Sequence, residues 1–187
     1  EAESQCSFMC EKGDVDYVGS SDYDSFVYNA PRIVRNLTLS SRRRLPSGIY
    51  VNIYPEVIEL KNVLKSLEIT QDQFIALSIL VGTDYNPGGV KGIGPKTALK
   101  LIKQYRNFDE LFNEVKAEFE WKRIYAVFKS MPIMKNYQLK WNSPDKEKIL
   151  KILVDKHEFN QGRVENNLNK LFNPKKEQEQ SSLGSFS

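Results

Sequence analysis

The chain has 187 residues, which is enough for one ordinary domain with a real core and an appendage. Its 40% hydrophobic and 27% charged residues are typical of a soluble globular protein, and no apolar run approaches the roughly 20 residues of a membrane span. The formal net charge of +3 is mild, so only local clusters of basic residues could indicate a nucleic-acid partner. Cys6 and Cys10 are expected to be reduced thiols, because two cysteines and one histidine are too few ligands for a zinc site.

The first 56 residues predict alternating helical and extended structure. A helix is expected over residues 3–12, with Gly13 as its C-terminal cap. Strands are expected at residues 15–18, 32–37 and 49–54. Residues 20–25 form a turn-rich break, and residues 41–48 form a basic hairpin loop. The strand signals end at Pro55.

The remainder of the chain predicts helices and then a tail. Helices are expected over residues 57–67, from the capping box at Thr70, over residues 95–105, and from Asn107, Ser143 and Asn160. After Phe172 the polar, charged sequence cannot bury enough apolar surface to fold alone.

Five acidic residues are candidate catalytic metal ligands: Glu1, Glu3, Asp22, Asp24 and Asp84. Magnesium prefers hard oxygen ligands, and two-metal phosphodiester hydrolysis needs several carboxylates around ions ~4 Å apart. Asp22 and Asp24 would point to one face if they lie in an extended segment at a strand end. Glu1 and Glu3 converge only if Glu1 precedes the first helical turn. For each acid taken singly, a solvated or helix-terminal charge is the favoured reading, and the motif context is what indicates a metal ligand.

A glycine-rich hairpin lies directly before Pro95, which begins the next predicted helix. Backbone N–H groups at such a helix N-terminus can bind a phosphate oxygen, and neighbouring lysines add positive charge. The candidate DNA-binding residues are Gly92, Ile93, Gly94, Lys91, Lys96 and Lys100. With apolar positions at Val90, Ala98 and Leu101, the pattern is typical of a helix-hairpin-helix element, which binds the DNA backbone irrespective of sequence. A purely structural helix turn is the alternative.

Four motifs, at residues 1–6, 21–25, 80–85 and 92–96, together resemble the flap endonucleases of the structure-specific 5′-nuclease (XPG/Rad2-like) family, archaeal type. The similarity runs along most of residues 1–172. The resemblance implies an α/β fold with a mixed, mostly parallel sheet flanked by helices. It also implies a helix-hairpin-helix element and a C-terminal helical part.

The same resemblance implies Mg²⁺-dependent cleavage of branched DNA near a 5′ flap. The five acids would then be metal ligands for two Mg²⁺ ions, with Mn²⁺ a plausible substitute. The hairpin would hold duplex DNA through its phosphates and could also bind a monovalent cation.

The family has an upstream region with two further aspartates, basic catalytic residues and a helical arch, none of which is found here. We therefore hypothesise that this chain is the later part of a longer enzyme, and that alone it binds DNA but cleaves it poorly. The expected division is residues 1–56 for the later nuclease core, 57–130 for the helix-hairpin-helix region, 131–172 for a helical part packing on the core, and 173–187 for a flexible tail.

The tail resembles the box that binds the sliding clamp (PCNA), through Gln180, Leu183 and Phe186. Ser187 stands where the box has a second aromatic residue, which predicts reduced affinity or further aromatic residues beyond it. A plain disordered tail is the alternative reading of its composition.

Three functions remain open from the sequence. The leading one is a flap endonuclease; the others are a different 5′-nuclease of the superfamily, or a non-catalytic DNA- and clamp-binding protein. The run 42–44 of three arginines either touches DNA phosphates or is a solvated hairpin tip. The expected location is intracellular and DNA-associated, which means cytoplasmic in an archaeon and nuclear in a eukaryote.

Overall fold

The structure is a computed structural model that describes residues 2–37 and 42–172. The chain forms two compact units, which divide between Asn136 and Tyr137. Within the described residues, no helix has the length and apolar character needed to cross a membrane.

The first unit carries strands and helices in mixed order. They are α1 (Ala2–Lys12), β1 (Val18–Gly19), α2 (Asp24–Val27), β2 (Arg32–Arg35), β3 (Arg42–Arg44), β4 (Tyr50–Asn52), β5 (Glu56–Glu59), α3 (Leu60–Leu67), α4 (Gln71–Val81), α5 (Pro95–Gln104), α6 (Phe108–Glu114) and α7 (Trp121–Ser130). The second unit contains α8 (Lys146–Leu150), a π-helix (Lys151–Lys156) and α9 (Gln161–Phe172).

A three-stranded sheet in the order β1-β2-β5 lies in the first unit, and β3 and β4 form a separate antiparallel hairpin. β1 pairs parallel with β2, and β5 pairs antiparallel with the other edge of β2. Ile33 of β2 lies opposite Val18 and Ile58 and is fully buried. The α/β class with a mixed sheet is thus confirmed. Among the described strands, one pair is parallel and two are antiparallel, so parallel pairs are not the majority within this part of the chain.

The prediction that strand structure ends at Pro55 is wrong. Residues Glu56–Glu59 form β5, and the helix expected from Val57 begins only at Leu60. Val57 and Ile58 are β-branched and satisfy the backbone groups along the edge of β2. Likewise β1 is shorter than predicted, the basic loop contains β3, and α7 was not predicted.

Helix α4 is the centre of the first unit. Its capping box is confirmed: Thr70 Oγ1 accepts a hydrogen bond from Gln73 N at 3.2 Å, and Gln73 Oε1 accepts one from Thr70 N at 2.9 Å. The buried residues of α4 occupy more than one of its faces: Phe74, Ile75, Ala76, Ile79 and Leu80. Helices on several sides therefore pack on α4, among them α5 through the buried Ala98 and Ile102.

Small side chains let α1 approach α2 closely. Ser7 is fully buried, and its hydroxyl donates to the Ser25 carbonyl oxygen at 3.1 Å. Gln71, at the start of α4, donates from Nε2 to the carbonyl oxygens of Phe26 (2.8 Å) and Val27 (3.2 Å). Helix α2 is therefore held by polar contacts from α1 and from α4.

The end of α4 crosses the following hairpin at two glycines. A Cβ on Gly89 would lie 2.3 Å from the Leu80 carbonyl oxygen, and one on Gly82 would lie 2.8 Å from Gly89 N. Both glycines have positive φ, +57° at Gly89 and +123° at Gly82. Val90 N donates to the Leu80 carbonyl oxygen at 2.8 Å, so two backbone segments touch where no side chain fits.

Substitution of these glycines tests the crossing. Gly88→Ala is the matched control, since Gly88 has φ +83° but no atom within 4 Å of an added Cβ. Gly88→Ala should cost about 1–2 kcal/mol for the left-handed backbone. Gly89→Ala should cost a further ~1–3 kcal/mol, because the new methyl group must displace the α4 backbone. Urea unfolding measures both values; equal losses would contradict the close crossing.

Candidate metal and nucleic-acid site

Asp84 lies on a tight turn that joins α4 to the glycine hairpin. Thr83 and Asn86, which bracket the turn, are buried, whereas Asp84 is exposed. Asn86 Oδ1 accepts hydrogen bonds from Thr83 Oγ1 at 2.7 Å and from Thr83 N at 3.2 Å. Asn86 Nδ2 donates to the Ile79 carbonyl oxygen at 2.7 Å. The turn therefore has a buried polar base and presents its carboxylate outward.

Sequence reasoning assigned no role to Thr83, although it lies in the motif at residues 80–85, and it missed Asn86. The available signal was a threonine and an asparagine three residues apart, between the apolar end of α4 and a proline. Asparagine and threonine side chains that bond to nearby backbone favour such turns.

The prediction that Asp22 and Asp24 lie in an extended segment is wrong. Asp22 follows β1 in a bend, and Asp24 is the first residue of α2. Asp22 Oδ1 accepts from Tyr23 N at 2.6 Å, and Asp22 N donates to Ser20 Oγ at 3.0 Å. These local bonds turn the backbone directly after the strand, as short polar side chains commonly do.

Tyr23, which lies between these two aspartates, is held by Arg35 of β2. The Arg35 guanidinium lies 4.9 Å from the Tyr23 ring centroid and donates to the Tyr23 hydroxyl. The Tyr23 ring also lies 6.1 Å from that of Phe26, which is fully buried. The bend that carries Asp22 and Asp24 is thereby fixed to the sheet.

Aromatic contacts join the α2 region to the Asp84 turn. The hydroxyl groups of Tyr28 and Tyr85 are 3.0 Å apart, and the Phe128 ring lies 5.0 Å from Tyr28 and 5.5 Å from Tyr85. Glu3 lies in the first turn of α1, which packs on α2. Helix α1, which carries Glu3, therefore packs on α2, which begins at Asp24. Helix α2 itself lies beside the turn that carries Asp84.

The donor chemistry of these residues fits Mg²⁺, which prefers carboxylate oxygens. However, within residues 2–37 and 42–172, no three Asp, Glu, His or Cys side chains come close enough together to hold a metal ion. Glu1 lies outside the described residues. The described part of the chain thus offers at most part of a metal ligand set.

The glycine hairpin ends at the start of α5. The first N–H groups of α5 have no intrahelical partner, and Gly94, the N-cap, has no side chain that could accept a hydrogen bond from them. An added Cβ at Gly92 or Gly94 would meet open space, so another molecule could approach the backbone there. Val90 and Ala98 are buried between the helices as the sequence pattern predicted, and Ile93 and Leu101 are partly buried against the core.

The lysines around the hairpin fall into two groups. Lys91, Lys96 and Lys100 are exposed. Lys103 Nζ lies 2.7 Å from Glu68 Oε2, and this partner lowers the pKa of the Glu68 carboxyl. Lys103 is therefore already engaged by an acid of this chain.

Several clefts lie near these elements, among them the following pair. A groove of about 520 Å³ is lined by Arg42, Arg43, Ser20 and Ser21, directly before Asp22. A cleft of about 540 Å³ between α1, α2, α4 and α7 contains none of the predicted site residues. At this second cleft Asp72 bonds to Lys129 at 2.9 Å and to Tyr125. These bonds lower the pKa of Asp72, while burial, then the bond to Asp72, raises the pKa of Tyr125 to about 12.

Gln180, Leu183 and Phe186, which are predicted to bind a sliding clamp, lie outside the described residues, and their role stays a prediction.

Comparison with known proteins matches residues 1–84 to the XPG I-region family. Flap endonuclease 1 of Staphylothermus marinus is 46% identical over 175 residues, which are 91% of this chain and 50% of that protein. Flap endonuclease 1 of Pyrococcus horikoshii is 44% identical over 187 residues, which are 100% of this chain and 54% of that protein. The chain spans about half the length of these curated relatives.

Solved structures agree. Flap endonuclease-1 from Methanococcus jannaschii superposes with a TM-score of 0.76 at 43% identity, covering 92% of this chain and 50% of that one. The catalytic core of Rad2 has a TM-score of 0.68 at 19% identity, covering 89% of this chain and 64% of that one, which indicates a shared fold. Along nearly its whole length, the chain is therefore similar to flap endonucleases in sequence and in fold, and residues 1–84 match the XPG I-region family.

Proposed function

We propose that this chain supplies the later part of a metal-dependent, structure-specific 5′-flap endonuclease with 5′–3′ exonuclease potential. The enzyme would cut branched DNA in replication and repair. The observation that carries the proposal is the shared joint between Asp84 and the glycine hairpin. Leu80, two residues before Gly82, accepts the hydrogen bond from Val90 N at 2.8 Å. A carboxylate suited to a metal and a loop suited to a phosphate thus stand on one rigid piece of backbone.

The metal side of the site would be formed by Glu3, Asp22, Asp24 and Asp84, with Glu1 as the fifth acid. Two Mg²⁺ ions, or Mn²⁺ in their place, would stabilise the charge of the scissile phosphate and activate water. Because the described acids do not form a complete ligand set, further ligands would have to come from Glu1, from other residues outside 2–37 and 42–172, or from outside this chain. The fixed bend at Asp22 and the fixed turn at Asp84 would orient the carboxylates.

The DNA side would be the hairpin. Backbone N–H groups at Gly92, Ile93 and Gly94 would donate to a phosphate of the duplex, and Lys91, Lys96 and Lys100 would add positive charge. Bonds of this kind read the backbone and carry no base information, as a nuclease specific for junction shape requires. A monovalent cation on the hairpin carbonyls belongs to the same proposal.

The proposal assigns the parts of the chain as follows. Residues 1–56 carry the metal side, 57–130 the helix-hairpin-helix element, 131–172 a C-terminal helical part, and 173–187 the clamp-binding tail. The protein would act inside the cell, on DNA.

The metal role of Asp84 is tested in the full-length natural protein by incision of a 5′-flap substrate in Mg²⁺, with EDTA as the metal-free arm. Asp84→Asn should lower the incision rate at least about 100-fold, because a metal ligand supplies several kcal/mol of transition-state stabilisation. The residues 1–187 alone should bind the substrate and incise it weakly.

The matched control is Asp109→Asn, which removes the same charge from an acid paired with Lys122 on the surface. If the Asp84→Asn variant incises the substrate at the wild-type rate, Asp84 is not a metal ligand. Preferential incision of a four-way junction would indicate another 5′-nuclease, and DNA binding without any incision would indicate a non-catalytic protein.

The DNA role of the hairpin is tested by duplex affinity as a function of salt. The double substitution Lys96→Ala and Lys100→Ala should weaken duplex binding and reduce the slope of log K against log salt by about 1 per lost phosphate contact. Lys103→Ala is the control, because Lys103 is engaged by Glu68, and it should leave the slope nearly unchanged. Equal slopes for all variants would rule out Lys96 and Lys100 as phosphate contacts.

The tail is tested by capture on immobilised sliding clamp. Phe186→Ala should lower capture at least about tenfold, since truncation of an anchor residue costs more than 1.4 kcal/mol in such grooves. Ser185→Ala is the neighbouring control. Unchanged capture of Phe186→Ala would leave the segment as a plain tail.

A further inference from the structure

We infer that Thr83 and Asn86 are positioning residues, which hold the Asp84 carboxylate in a fixed place relative to the glycine hairpin. The inference rests on the proposed function, because it gives Asp84 its metal role. It adds two residues that are not proposed to touch metal or DNA and to which the sequence analysis gave no role.

The Asn86 side chain is nearly buried, with 8% of its surface exposed, and it uses both ends of its amide. Its oxygen accepts from Thr83 N (3.2 Å) and from Thr83 Oγ1 (2.7 Å), and its nitrogen donates to the Ile79 carbonyl oxygen (2.7 Å). Leaving a buried polar group without its hydrogen-bond partner costs more free energy than the hydrogen bond itself contributes to stability. The amide is therefore locked in one orientation.

This one side chain ties the turn to the last turn of α4. Ile79 is fully buried, so its carbonyl is a fixed anchor. The Thr83 hydroxyl also accepts from Tyr85 N at 3.2 Å, which fixes the backbone on the far side of Asp84. Asp84 thus has its preceding and following residues held by the same buried hydroxyl and amide.

The backbone of Asn86 continues the connection into the hairpin. Asn86 N donates to the Thr83 carbonyl oxygen at 3.0 Å, and Gly89 N donates to the Asn86 carbonyl oxygen at 3.0 Å. Val90 N then donates to the Leu80 carbonyl oxygen of α4 at 2.8 Å. The hairpin has this second anchor on α4, independent of the Thr83 hydroxyl, whereas two of the bonds that hold the Asp84 turn, to Asn86 Oδ1 and from Tyr85 N, use that hydroxyl.

This difference predicts a separation of two properties. Loss of the Thr83 hydroxyl should loosen Asp84 and weaken metal binding, while the hairpin keeps its place and its duplex affinity. Residues behind metal ligands commonly have such effects, of about 10- to 100-fold in metal affinity.

The experiment compares Thr83→Val with Thr83→Ser in the full-length natural protein. Mn²⁺ affinity is measured by electron paramagnetic resonance without DNA, and duplex affinity is measured separately in EDTA. Thr83→Val should bind Mn²⁺ about tenfold more weakly or worse, and Thr83→Ser, which keeps the hydroxyl, should restore most of the loss. Duplex affinity should be unchanged in both variants.

A second pair tests the amide. Asn86→Asp removes the N–H group that donates to the Ile79 carbonyl oxygen. The control Asn107→Asp makes the same charge change at the N-cap of α6, where the side-chain oxygen that accepts from Asp109 N is retained. Asn86→Asp should weaken Mn²⁺ binding, and Asn107→Asp should not. Thermal melts followed by circular dichroism report whether each variant is folded.

Failure of the inference is distinguishable from failure of the proposed function by an Asp84→Asn arm. If Asp84→Asn leaves Mn²⁺ affinity unchanged, the metal role of Asp84 is wrong. If Asp84→Asn weakens Mn²⁺ binding but Thr83→Val matches Thr83→Ser, only the positioning role is wrong. Parallel loss of Mn²⁺ affinity, duplex affinity and fold in Thr83→Val would also overturn it, since the hydroxyl would then support the fold in general.

Discussion

The close crossing of α4 and the glycine hairpin is the constraint on which the rest of the site depends. Leu80 and Val90 share a backbone hydrogen bond of 2.8 Å, and glycines at positions 82 and 89 leave no side chain between the two segments. Because backbone atoms touch there, the separation of helix and hairpin cannot relax by a change of rotamer. Asp84 lies on the short excursion between the two contacting segments, so its position is determined by the same crossing.

The elements that carry the other candidate acids are held in place by packing between distant parts of the chain. Helix α1 approaches α2 through the buried Ser7, and α4 holds α2 through Gln71, which is 45 residues from its partner Phe26. The Tyr28 and Tyr85 hydroxyls join the end of α2 to the Asp84 turn at 3.0 Å. These contacts are polar or involve small side chains, which give defined geometry at short range. The hydrophobic core around Ile75 and Ile79 stabilises the helices without specifying these polar joints.

Features set by local sequence could be predicted. The capping box at Thr70 and the proline at the start of α5 were read correctly, because each acts within one helical turn. The strand at Val57 and Ile58 could not be predicted from the sequence. A short apolar run can form either a helix or a strand, and here it forms a strand because the edge of β2 is available for pairing. The bend at Asp22 was misjudged for a related reason. The spacing of two aspartates is too short a pattern to distinguish an extended segment from a turn. In the turn observed here, the Asp22 carboxylate accepts a hydrogen bond from the next backbone amide.

The candidate acids show the same limit at the level of chemistry. Motif order predicted Glu1, Glu3, Asp22, Asp24 and Asp84 as metal ligands. A ligand set is defined by distances, however, and the described acids alone do not form one. The net charge of +3 is likewise a poor indicator of DNA binding. Binding depends on where exposed lysines lie beside backbone that another molecule can approach. The pairing of Lys103 with Glu68 leaves the positive charge concentrated at the hairpin itself.

If the hairpin holds duplex phosphates and Asp84 contributes to the metal side, the distance from bound duplex to scissile bond is a property of the backbone crossing. Side-chain substitutions on the hairpin surface would then alter affinity without moving the cut. A change at Gly82 or Gly89, where two backbones touch, would alter the position of Asp84 relative to the duplex as well as stability. This separation between residues that bind and residues that set the distance follows from the glycines, because a backbone contact has no side-chain degree of freedom to absorb the change.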